Sequence, residues 1–282
     1  TSQGFTMTLS TYGRALLIAS FTLTGAAHAV QNGPNPTLEG IKADGPYAVS
    51  SQALSGSGKP FSRATVYSPN TPGAYAVIAV CPGYVSAETT IQQLGRRLAT
   101  HGFVVVTIQT KSLFNWPSSR ATQLLAALQA TTQLTTGPAA GKMDATRMAV
   151  AGWSMGGGGA LEAAGKTPAL KAALAWAPWH TSTTDISKIV MPASITVGTA
   201  DSVASLKGHS QKFYNAIPAS TRKMLGVIEG ADHFVYSGKV VEPISYTNIA
   251  WTKRFVDGDT RYSPFLPAAQ VDRASFTSNG PF

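Results

Sequence analysis

The sequence predicts an α/β domain on a twisted, mostly parallel central sheet flanked by helices on both faces, and three observations lead there. Short apolar, β-rich runs alternate along the chain with segments of helical spacing, the order that repeated strand–helix units require. At 282 residues, 44% of them hydrophobic, the chain can bury one full-sized core. The third observation is RMAVAGWSMGGGGALEAAG at 147–165, where an apolar strand passes through a glycine-flanked turn into a helix.

The elements follow in order. RATVYSP (63–69) reads as an early strand and YAVIAVCPG (75–83) as a buried central one. QLGRRLATHG (93–102) is the end of a helix stopped at Gly102, and FVVVTIQT (103–110) is the next buried strand. SSRATQLLAALQATTQL (118–134) begins with serines able to cap a helix, and its leucines and alanines recur at helical spacing. RMAVAG (147–152), KAALAWAP (171–178), ASITVGT (193–199) and RKMLGVIEG (222–230) are four further strands, and residues 244–256 are the last long helix. NGPNPT (32–37) and SNGPF (278–282) read as loose ends.

The amino terminus reads as an export signal. Arg14 precedes the apolar stretch ALLIASFTLTG and then AAHA, whose Ala27 and Ala29 form a small-x-small cleavage site. Residues 1–29 are therefore expected to be an N-terminal extension and secretory signal, with Met7 as a candidate start, and residues 30–282 a single catalytic domain released to the cell exterior. The apolar stretch is too short to serve as a mature membrane anchor, so no stable membrane association is expected. Cys81 is the only cysteine, which excludes an intramolecular disulfide and leaves stability to packing. The net charge of +9 falls to +8 once Arg14 is lost. The basic residues are scattered and carry no nucleic-acid-binding motif, so no nucleic-acid partner is expected and a monomer is the simplest assembly.

Chemistry concentrates at the strand–turn–helix. Gly152-Trp153-Ser154-Met155-Gly156 in that setting is a nucleophile elbow: the serine occupies a strained turn, and a side chain at 152 or 156 would collide with neighbouring backbone. Gly157, Gly158 and Gly159 would let the helix pack closely on its neighbours. A serine hydroxyl is a poor nucleophile until a base takes its proton, so a histidine held by an acid must follow in chain order. Of the five histidines, His28 leaves with the signal, His101 precedes the elbow, His180 comes before any suitable acid loop and His209 lies in a helical segment. His233, in a loop after the last strand of the series, is the candidate base. Asp201, ending ASITVGTAD, is the candidate acid; Asp185 reads as a turn cap, Asp232 is poorly placed to reach back to the ring, and Asp144 reads as a structural ion pair. The backbone N–H groups of Met155 and of Tyr84, in CPGYVS, are the candidate oxyanion donors.

With these residues in view the chain resembles the bacterial cutinase and poly(ethylene terephthalate) hydrolase family. The likeness runs through GPNPT, PGY, GWSMGGGG, APWH, DSVA and DHF to AWTKRFVDGDTRYSPF, and so over nearly the whole mature chain. It implies an α/β-hydrolase fold without a lid and a serine esterase that cleaves cutin-like and aliphatic polyesters through Ser154, Asp201 and His233. It further implies that Trp179 packs on the substrate ring opposite Tyr84, and that Trp153, Val203 and Phe234 complete a shallow apolar cleft. No metal or organic cofactor is implied, and no carboxylate cluster argues for calcium. The matching positions for the acid-to-histidine-loop disulfide of one family branch are Gly198 and Val235, so that crosslink is absent and modest thermal stability with mobile loops is expected. His180 after Trp179 and Phe234 after His233 resemble the cutinase branch, which favours aliphatic polyesters over the aromatic polymer. Two rivals stay open: a short-chain esterase or lidless lipase with the same triad, and a non-catalytic secreted binding protein on a hydrolase scaffold.

Overall fold

The computed structural model describes residue 1 and residues 29–238, 241–267 and 272–282. The expected signal segment, apart from its first residue and Ala29, lies outside the described residues. The described chain forms nine strands: β1 (Val49–Ser55), β2 (Arg63–Pro69), β3 (Tyr75–Cys81), β4 (Val104–Gln109), β5 (Met143–Trp153), β6 (Ala172–Trp176), β7 (Ala193–Gly198), β8 (Lys223–Ile228) and β9 (Ala274–Ser278). They build one open sheet in the order β1-β2-β4-β3-β5-β6-β7-β8-β9. β3 to β8 are mutually parallel, while β1 and β2 pair antiparallel at one edge and β9 pairs antiparallel on β8 at the other.

The helices are α1 (Leu38–Lys42), α2 (Gln92–Thr100), α3 (Pro117–Thr132), α4 (Met155–Lys166), α5 (Gln211–Ala216) and α6 (Glu242–Phe255). Strand side chains alternate between faces, and β3 shows the result. Val77, Ala79 and Cys81 join a core shared with α3, α4 and α5. Ala76, Ile78 and Val80 join a second core shared with α1, α2 and α6. A central parallel strand must be apolar on both faces, and every residue of β3, β4, β6 and β7 is buried. Between β6 and β8 the chain carries, besides β7, only short helical turns and α5.

Three features depart from the sequence reading. Pro117 opens α3 and Trp116 occupies its N-cap without a side-chain hydrogen bond, so Ser118 and Ser119 lie in the first turn; proline suits that first position because its missing N–H would be unpaired anyway. The segment 32–37 is tied down, with Asn32 O accepting from Lys253 Nζ (3.2 Å) and Asn35 Oδ1 from Arg261 (3.1 Å). The carboxyl end is ordered as well: Asn279 donates to Ala219 and Thr221 carbonyls, and the Phe282 ring packs edge-on to Trp251 at 5.2 Å.

Candidate active site

β5 ends at Trp153 and α4 begins at Met155, leaving Ser154 alone in the turn at φ 58°, ψ −123°. A non-glycine residue in this region is strained and persists only where its surroundings hold it. Here the Ser154 N–H donates to the Trp176 carbonyl, and the Ser154 carbonyl accepts from Gly158 and Trp179 N–H, all at 2.9 Å. The flanking glycines are steric necessities. A Cβ on Gly152 would stand 2.3 Å from the Gly156 carbonyl oxygen, and one on Gly156 would stand 2.2 Å from that of Cys81. The rest of the glycine run lets α4 lie flush on its neighbours, since a Cβ on Gly158 would meet the Trp179 oxygen at 2.1 Å and one on Gly159 the Arg120 Cβ at 2.9 Å.

Three polar groups meet over this turn. Ser154 Oγ lies 2.9 Å from His233 Nε2, and His233 Nδ1 lies 2.8 Å from Asp201 Oδ2. Asp201 follows β7, and His233 opens a short 3-10 turn (His233–Tyr236) after β8. The second Asp201 oxygen accepts the Val203 and Ala204 N–H groups at 2.9 and 2.7 Å. Burial pushes the Asp201 pKa up, but the His233 N–H and these two amides outweigh it and hold the carboxyl below its ordinary value. An ionised carboxylate accepts the Nδ1 proton, which leaves Nε2 free to accept from the serine hydroxyl. Asp232 instead accepts from Phe234 N–H, Asp185 pairs with Lys188, and Asp144 pairs with Arg147.

The remaining described histidines are held elsewhere. His101 is buried at the end of α2, where Nε2 meets the Ala43 carbonyl at 3.1 Å. His180 Nδ1 accepts Ser182 N–H, and its Nε2 donates to Glu162. His209 lies nearly flat against Trp179, with centroids 5.9 Å apart at 29°, a contact that its distance in sequence gave no means of seeing.

The loop after β3 presses on the elbow. A Cβ on Gly83 would lie 3.1 Å from Ser154 Cβ, which sets Tyr84 beside the serine. Met155 is the first residue of α4, so its N–H has no partner four residues back within the helix. Val85 N–H is taken by the Leu113 carbonyl at 2.9 Å, whereas Tyr84 N–H has no protein acceptor among the described residues. Arg120, fully buried, braces this loop through the Pro82 carbonyl (3.0 Å) and lies 3.9 Å from the sulfur of Cys81, whose pKa burial pushes up to about 11.

Tyr84, Val203 and Phe234 are exposed around the serine, and Trp179 is half-buried beside it. Trp153, expected to complete the cleft, lies beneath these residues. It is buried, its indole N–H donates to the His233 carbonyl at 2.9 Å, and its ring supports Phe234 from 6.0 Å. Two exposed aromatics escaped the sequence reading: Phe114, 5.8 Å from Tyr84, and Trp116, 5.5 Å from Trp179. Nothing in their local sequence separates an exposed ring from a core one. Among the described residues, no three His, Cys, Asp or Glu side chains are grouped to hold a metal ion, and no helix is long and apolar enough to cross a membrane.

The chain is similar to several characterised enzymes. It is 40% identical over 259 residues to a cutinase of Thermobifida fusca, covering 89% of this chain and 84% of that one. It is 41% identical over 243 residues to cutinase est2 of Thermobifida alba, covering 86% and 80%. A bis(hydroxyethyl) terephthalate hydrolase of Streptomyces coelicolor is 37% identical over 265 residues, covering 89% and 83%. The family model described as PET hydrolase-like matches residues 24–280. With the elbow on an open α/β sheet and these likenesses spanning most of its length, the chain belongs to the PET hydrolase-like family of carboxylic ester hydrolases.

Proposed function

We propose that this protein is an exported enzyme that hydrolyses polyesters, cutin-like and aliphatic ones first, with Ser154 as nucleophile, His233 as base and Asp201 as orienting acid. The observation that carries the reading is the hydrogen-bonded line from Ser154 Oγ through His233 to Asp201, with the exposed Tyr84, Val203 and Phe234 beside it. His233 Nε2 takes the hydroxyl proton as Oγ attacks the ester carbonyl, and the imidazolium is stabilised by Asp201. The resulting oxyanion is received by the N–H groups of Met155 and Tyr84, each worth roughly two to three orders of magnitude in rate. The alcohol leaves with the proton from His233. Water then repeats the sequence on the acyl-enzyme, releasing the acid and restoring the serine.

The relatives support this substrate class, since the names of those proteins specify cutin and a terephthalate ester. Tyr84, Trp179, Val203 and Phe234 form the substrate-facing surface of the reading, with Trp153 beneath them. The same reading takes residues 30–282 as one catalytic domain, released as a monomer after cleavage behind Ala29, without cofactor. The test measures product release from an aliphatic polyester emulsion and from amorphous poly(ethylene terephthalate) film, beside turnover of a soluble short-chain ester, for the wild type and Ser154→Ala. Release from polymer that Ser154→Ala abolishes supports the proposal. Turnover confined to the soluble ester makes the protein a short-chain esterase instead.

A further inference from the structure

A cavity with no part in the chemistry above lies at the other end of the sheet. Ser154 follows the last residue of β5, whereas His101 stands just before the first residue of β4, and β3 pairs parallel with both strands, so the two residues mark opposite strand ends. Beside His101, the segment 32–37, residues 40–41, the loop 44–47 and Tyr262 enclose about 390 Å³. An apolar cavity of roughly 150 Å³ already holds a benzene ring, and ligand sites begin at roughly 300 Å³.

The walls are fixed from separate parts of the chain. Lys253 and Arg261 hold the Asn32 carbonyl and the Asn35 side chain, and Thr37 Oγ1 accepts the Gly40 N–H at 3.0 Å. The Gly45 and Tyr47 N–H groups donate to the hydroxyl and the carbonyl of Thr100 at 3.0 and 3.1 Å. A preformed wall spares a ligand the cost of ordering it. Pro34, Pro36, Pro46 and Ile41 supply apolar faces. The polar groups are neutral ones. His101 is only 4% exposed, and its Nε2 must donate to the Ala43 carbonyl at 3.1 Å, so Nδ1 of the neutral ring is an acceptor, and it has no partner among the described residues. Burial keeps the ring neutral, its pKa lowered to about 4. Tyr47 and Tyr262 add two hydroxyls without hydrogen-bond partners among the described residues. The carboxylate of Asp44 is paired with Arg96 and Arg97.

We propose that this cavity is a second binding site, for a small neutral aromatic alcohol whose hydroxyl is held between His101 Nδ1 and the hydroxyls of Tyr47 and Tyr262. The class follows from the lining. An imidazole nitrogen that can only accept requires a donor on the ligand, and a hydroxyl supplies one while accepting from a tyrosine in return. A carboxylate would find no free cation there, and an ammonium would find the Asp44 charge already taken. The proline and tyrosine faces suit a flat ring. The proposal stands apart from the polyester reading, because it uses no residue of the Ser154 site.

The test titrates benzyl alcohol, toluene and benzoate into protein labelled with 15N at histidine, following the ring nitrogens of His101, whose signals His101→Gln assigns by their loss. Benzyl alcohol is expected to move the His101 Nδ1 resonance saturably, and equally in Ser154→Ala. Toluene, which has the ring without the donor, should bind about tenfold more weakly, the value of one hydrogen bond, and benzoate should bind more weakly still. Tyr47→Phe/Tyr262→Phe keeps both rings and their packing, and should weaken benzyl alcohol several-fold. A His101 signal unmoved while that of His233 shifts would overturn the proposal in favour of binding at Ser154. Toluene binding as tightly as the alcohol would reduce the cavity to an apolar patch, benzoate binding more tightly would make it an anion site, and an affinity untouched by the double variant would remove the tyrosines from it; each of these results overturns the proposal.

Discussion

The Trp153 indole N–H donates to the backbone carbonyl of His233 at 2.9 Å, and the two rings lie 5.4 Å apart. The residue before Ser154 therefore holds the His233 peptide. Trp153→Phe keeps a ring but removes this buried hydrogen bond, a loss of roughly 1 kcal/mol. The expected outcome is a lower melting temperature together with a several-fold fall in kcat on a soluble ester, since His233 loses a positional restraint. Thermal unfolding and steady-state kinetics on the one variant check both.

Asp201→Asn should lower kcat by about four orders of magnitude near neutral pH, because an amide facing Nδ1 favours the tautomer whose Nε2 cannot accept the serine proton. Its effect on stability has a defined sign. Because the folded carboxyl is held below its ordinary pKa, its contribution is present at neutral pH and is lost as the pH falls through the lowered folded value. Urea unfolding at neutral and strongly acidic pH should show a smaller acid-induced loss in the variant than in the wild type.

His101 predicts acid sensitivity of a different origin. Burial lowers its pKa to about 4, so the folded protein keeps it neutral where the unfolded chain, near the ordinary 6.5, takes up a proton. Acidification from 6.5 towards 4 therefore favours unfolding, by an amount on the order of 2–3 kcal/mol. His101→Gln removes the titration, and its melting temperature should fall less than that of the wild type between pH 7 and pH 4.5.

Gly198 sits where a Cβ would stand 2.0 Å from the Ala231 carbonyl oxygen. That oxygen already accepts the Ala200 N–H at 3.0 Å, and Gly230 N–H donates to Thr199 Oγ1 at 2.8 Å, so the acid and histidine loops are joined by close backbone contact. Gly198→Ala should destabilise by roughly 1–3 kcal/mol through overpacking. For the same reason Gly198→Cys with Val235→Cys should fail to raise the melting temperature even when the crosslink forms, as calorimetry of the oxidised and reduced protein will show.

The parallel centre of the sheet was legible because burial on both faces writes continuous apolar runs, as in YAVIAVC and FVVVTI. Its edges were not. VSSQALS in β1 and ASFTS in β9 are half-exposed and polar, and they become strands only through pairing with β2 and β8. At the site, chain order and loop position pointed to Ser154, Asp201 and His233, which the structure brings within hydrogen-bonding distance. The resemblance places Trp153 in the cleft without telling a ring above it from one beneath it, and the fold buries it. His209, Phe114 and Trp116 left no trace, since what distinguishes them is a neighbour brought close by the fold.

The lone thiol of Cys81, sealed in β3 with its pKa raised to about 11, makes the folded protein silent towards alkylating reagents at ordinary pH. One cysteine placed on the surface would then be the single attachment point for a dye or a solid support. In its absence, the rate at which Cys81 becomes labelled is a clock for how often the centre of the sheet opens.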